Sequence, residues 1–295
     1  MKSRKRTKTK IWLGVGAFVV AGASGTAAET PALRAPSSPS VSDLAPARVL
    51  GSDFSAAAKK HQHAAPARKQ GGEAGEAGGK QQNLPPDLDF ALKIAQIRGH
   101  LLVGDELVQQ GQWNAALPHF LHPTEELYGP IRGKLKDYGT PPFESALKAL
   151  AATVKQKKGG DDYARALSGV NDALAAADAG VKAKQPSDGF SVETALELLK
   201  SAANEYQEAI VKGRIAKPVE YQDSRGFVWQ AETMIEAHAA ALEKQDAAAL
   251  KAVRDGFAEL KKTWPAAMPP KTPVKDHAGV LADVARIELA IGKLM

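Results

Sequence analysis

The chain has no cysteine among its 295 residues. That excludes disulfides, thiolate metal sites, cysteine nucleophiles and the usual covalent haem attachment. Nor does any segment sustain period-two alternation with β-branched enrichment, so strands are not expected. The zinc-protease pattern His-Glu-x-x-His and the Gly-x-Ser-x-Gly elbow are both missing. The one glycine-rich tract, Gly71 to Gly79, lies in a low-complexity segment rather than at the strand–helix junction that a phosphate loop needs. With no nucleophile–base pairing in view, the chain reads as non-catalytic.

Surplus positive charge is scarcer than the total suggests. There are 39 Lys and Arg against 33 Asp and Glu. Six of the basic residues (Lys2, Arg4, Lys5, Arg6, Lys8 and Lys10) and no acidic ones fall in residues 1–28, so the remainder is balanced at 33 each. A nucleic-acid surface is therefore not expected. The six cations precede an apolar run from Ile11 to about Ala23 and the small residues Gly25 to Ala28. This order is that of a secretory signal cleaved near Ala28, or kept as an anchor. The run falls short of the roughly 20 apolar residues a spanning helix needs, so no span is expected in the mature chain. Periplasmic or secreted localisation follows.

Three segments result: a signal at 1–28, a disordered tether at 29–83, and an all-helical domain at 84–295 with a candidate subdomain break near 180–190. The tether is rich in Ala, Pro, Ser and Gly and carries His61 and His63. It has too few large apolar residues to offset the entropy of ordering. The remaining stretch of about 210 residues is long enough to bury a core without staples. Asp87, Ser191 and Asp246 are candidate helix N-caps, and Pro123 is expected to end a helix. The fold expected is all-α, a bundle of eight or nine short amphipathic helices packed as antiparallel hairpins.

The densest polar stretch is Gly99 to Tyr128. Within it Gly104, Leu107, Gly111, Trp113, Ala116 and Phe120 are spaced so that small residues let two helices approach, Gly111 permits the turn, and the aromatics fill the gap. Over these roughly 25 residues the chain resembles one tetratricopeptide-type hairpin. It departs from that pattern at Pro123, where the family has a small residue, and at His100, where a large aromatic is common. No second copy stands at a fixed period.

His119 and His122, three apart, share a helix face, and Glu125 follows at His-x-x-Glu spacing. That spacing is similar to an element of imelysin-like periplasmic proteins, whose glycine two residues before the histidine is replaced here by Phe120. If the hairpin closes, His100, His119, His122 and Glu125 converge as nitrogen and oxygen ligands suited to iron, copper or zinc. The alternatives are a structural polar cluster or separate surface residues. His238 lies among Ala231, Ile235 and Leu242 and reads as a core histidine. Asp223 and Arg225 form the other polar concentration. Asp223 reads as a helix cap and Arg225 as the partner of Glu220 or of a carboxylate on another helix; together they are candidates for clamping an anionic ligand.

Three functions stay open on the sequence. The leading one is a non-catalytic helical binding protein, with another periplasmic or membrane protein as a candidate partner. The second is a periplasmic metal-binding protein whose cofactor is a transition-metal ion, and the third a metal-dependent hydrolase.

Overall fold

The computed structural model describes residues 84–295, which carry nine α-helical segments. The expected signal, the tether and His61 and His63 lie outside the described residues. Helix α1 (Pro86–Gln109) starts on a proline at its first position, where a missing N–H costs nothing. Asp87 is not its cap. It sits one residue inside, where the helix dipole still favours an acid, and accepts hydrogen bonds from Tyr138 and Gln185.

Gly111, at φ +71°, turns the chain into α2 (Trp113–His122). Pro123 does not end the helical path. It opens a π-helical turn over Pro123–Leu127, in which the N–H of Tyr128 bonds the carbonyl of Pro123, and α3 (Tyr128–Ile131) continues it. Proline has no N–H to give and its ring crowds the carbonyl one turn back, so the chain widens rather than stops. A 3₁₀ turn at Leu135–Tyr138 leads to α4 (Glu144–Lys155) and α5 (Gly160–Lys184).

In the second half, α6 (Asp188–Ala209) is capped by Ser187, whose Oγ accepts from the N–H of Phe190; Ser191 lies inside the helix. Against expectation, a two-residue ribbon follows. Strands β1 (Ile210–Val211) and β2 (Arg214–Ile215) pair antiparallel around Lys212 and Gly213, both at positive φ. That is the twist a two-residue hairpin demands, and it is too short to leave an alternating pattern.

Helix α7 (Pro218–Ala237) begins on another proline. Next comes α8 (Ala239–Leu260), broken at Asp246, whose backbone leaves the helical region while its Oδ1 accepts from the N–H of Ala249. Asp246 is thus the N-cap its sequence suggests. A Pro-rich loop leads to α9 (His277–Ile291), capped by Asp276.

Two apolar clusters share α1. Leu92 and Ala95 face the core of α6 to α9, built on Tyr206, Tyr221, Phe257 and Trp264. Phe90, Ile94, Ile97 and Leu101 face a second core with Phe120, Tyr128, Leu147 and Leu174. A helix apolar on most sides belongs between two layers, and α1 lies there. No helix among the described residues is long and apolar enough to cross a membrane.

Candidate metal centre

Where the two cores meet, polar groups replace apolar ones. Gly99 on α1 faces Gly226 and Phe227 on α7, and a Cβ at Gly99 would lie 2.5 Å from the Phe227 ring. The two backbones therefore approach more closely than side chains would allow, and His100 is carried onto α7. Five residues along α1, Gly104 admits α2 in the same manner. A Cβ there would lie 2.8 Å from Phe120 and 3.2 Å from the Cβ of His119. Small residues on one helix thus seat imidazoles from two helices against a third.

The side chains converge on Asp223, which is 2% exposed. Its Oδ1 lies 2.7 Å from Nδ1 of His100 and 2.7 Å from Nδ1 of His119. Nε2 of His119 lies 3.0 Å from Oε1 of Gln222, so both nitrogens of that ring are engaged. Oδ2 of Asp223 stands 3.5 Å from Nδ1 of His122, a buried atom without a full hydrogen bond. At that distance the two attract as charges without closing a bond.

Burial pushes the Asp223 carboxyl up, but the charges of His100 and His119 and their hydrogen bonds outweigh it and hold the group well below the usual carboxylate range. For His122, burial lowers the imidazole, while the neighbouring Asp223 carboxylate prevails and raises it. His100 opposes that rise and Glu126 adds to it. A buried carboxylate must be balanced by positive charge, either a proton on an imidazole or a cation.

The structure brings His100, His119 and His122 together but not Glu125, which is exposed. The π turn is the reason. An i→i+5 turn takes in more residues than an α turn, so the residue that returns beneath His122 is four on, Glu126, rather than three. The carboxylate of the cluster is Asp223, about a hundred residues away in sequence. His100, His122 and Asp223 offer ligand atoms that all lie within 4.8 Å of one another.

The anion clamp of Asp223 and Arg225 does not form. Two residues apart on a helix, they face different ways. Arg225 donates through Nε and Nη2 to the carboxylate of Glu106 at 3.0 and 2.9 Å and through Nη1 to the carbonyl of Trp264, and its plane lies 3.9 Å from the Trp229 ring. Three of its five N–H donors are held by the fold.

His238 is a quarter exposed at the joint of α7 and α8, 2.7 Å from Asp188, and takes no part in the cluster. Ser224 donates to the carbonyl of Ala202. Gln222 and the central place of Asp223 were not foreseen. The signal was Pro218: read as the first residue of a helix, it puts Asp223 a turn and a half inside, among residues buried on every side.

The donor set of imidazoles and a carboxylate suits iron, zinc or copper. The orphaned His122 nitrogen, 3.5 Å from the free carboxylate oxygen, is spaced like two atoms that each sit about 2.1 Å from one ion. No curated protein and no solved structure gives a significant match to the chain. Over residues 182–295, which contain α6 to α9 and Asp223 but none of the three histidines, the chain is similar to the iron permease-associated 4-helix bundle domain.

Proposed function

We propose that this chain is an exported, non-catalytic binding protein that takes up a divalent transition-metal ion, iron first, between His100, His122 and Asp223. The observation that carries this reading is the fully buried Asp223 carboxylate with three imidazoles around it, one presenting a nitrogen that no protein group fills. His119 orients the carboxylate through Oδ1, the oxygen that His100 also approaches, a support that metal-bound carboxylates commonly have. Iron is favoured over zinc and copper by the similarity of residues 182–295 to a domain associated with iron permeases. The basic, then apolar, start of the chain supports export.

The test is elemental analysis of the full chain purified without an affinity tag, before and after incubation with Fe(II), Zn(II) or Cu(II). One ion per chain is expected, lost in a His100→Ala/His122→Ala double variant that keeps its helical circular dichroism. A ligand bound only by the folded state must stabilise that state. A metal-free chain whose thermal midpoint does not rise with any of the three ions overturns the reading.

A further inference from the structure

A cavity of about 530 Å³ opens away from the metal centre, between α1, α5, α7 and the start of α6. It exists because α1 presents Ala91 and Ala95, one turn apart, where its neighbours Leu88 and Leu92 are large. The size is that of a small-molecule pocket. Phe190 and Met234 give the cavity apolar walls.

Its polar lining is mostly satisfied. Arg98 is paired with Asp178, His238 with Asp188, and the hydroxyl of Thr194 with a carbonyl of its own helix. Two groups are not. Gln230, on α7, is 8% exposed, lines the cavity, and makes no side-chain hydrogen bond to any described residue. Its amide offers two donors and an acceptor to a ligand there. Lys182 also lines the cavity and has no carboxylate partner among the described residues. Since the one carboxylate that lines the cavity, Asp178, is already engaged by Arg98, the charge left over is positive. The N-terminus of α6, at Ser187 to Ser191, adds its positive end to the same space.

We infer that this cavity binds a small organic carboxylate with an apolar body, its charged end held by Lys182 and the Gln230 amide and its body against Ala91, Ala95 and Met234. The site is separate from the metal centre and does not depend on it.

Calorimetric titration of the full chain with sodium octanoate tests the inference, with 1-octanol and octyltrimethylammonium as matched probes. Saturable one-to-one binding of octanoate is expected, at least about tenfold tighter than either probe. Lys182→Ala, a surface change that leaves the core intact, should weaken it about tenfold, the scale of one charge-assisted contact. Gln230→Leu should weaken it several-fold, and Ala95→Leu should fill the cavity and abolish binding. No heat at millimolar octanoate overturns the inference, as does octanol binding as tightly or an affinity that Lys182→Ala leaves unchanged.

Discussion

Gly99 and Gly226 meet backbone to backbone where α1 crosses α7, and a methyl group on Gly226 would overlap the carbonyl of Gly99. A methyl group on Gly99 would instead meet the Phe227 ring, a side chain that can turn aside. Gly226→Ala should therefore be the more damaging change. Overpacking of this kind costs about 1–3 kcal/mol, which for a domain of this size lowers the melting midpoint by about 2–10 °C. It should also weaken metal binding, because α1 carries His100 away from Asp223. Gly99→Ala should retain more of both. Equal midpoints for the two variants would show that the backbone contact does not set the helix spacing.

The metal-free chain should lose stability as the pH rises through neutrality. The imidazole of His122 titrates higher in the folded state than in the unfolded chain. Its contribution is complete below about pH 6.5, the unfolded value, and is lost as the pH climbs through the raised folded value. Asp223 works in the opposite sense. Its folded value is depressed, so its contribution is complete above about pH 4 and is lost only as strong acid reaches that depressed value. Metal must displace protons from imidazole, so stabilisation by added Fe(II) should grow over the window where the metal-free chain weakens. Melting curves of the native chain and of His122→Gln across pH 5 to 9 isolate the effect. Parallel curves for the two would remove His122 as its source.

The all-helical class was legible because its signals are local. Apolar residues at three-four spacing mark each helix, Gly111 marks a turn, and Asp246 marks a cap, and each acts within a few residues of itself. Caps near prolines were misplaced at Asp87 and Ser191, since Pro86 and Ser187 begin their helices earlier. The histidines were legible as a group because two lie on one short helix and the third on its hairpin partner. Their carboxylate was not. Asp223 and His119 are separated by 104 residues, and nothing local says which helix crosses which. α-Helical spacing points to Glu125, and the π turn after Pro123 changes that spacing.

Arg225 makes a different prediction from its neighbour two residues back. Its fork holds Glu106 on α1 and its plane covers Trp229, so it joins helices rather than binding a ligand. Arg225→Lys keeps the charge but loses the paired geometry and the stacking. Because Glu106 keeps some contact with solvent, a cost of about 1–3 kcal/mol is expected, below that of breaking a wholly buried pair. Urea unfolding should show a lower midpoint while metal stoichiometry stays at the native value. Loss of metal without loss of stability would place Arg225 in the site after all.

His119 and Asp223 should separate cleanly in metal affinity. Both nitrogens of His119 are engaged, by Asp223 and Gln222, so it acts by holding the carboxylate in place. Removing such a support commonly costs about 10–100-fold in affinity. His119→Ala should therefore bind one ion per chain, more weakly. Asp223→Asn keeps the shape but removes the buried carboxylate that the three imidazoles surround, and should lose more than about 100-fold. Competition titration with a chromophoric chelator measures both. The opposite order, with metal lost in His119→Ala and kept in Asp223→Asn, would make His119 the ligand and leave the buried carboxylate only a structural acceptor for the imidazoles around it.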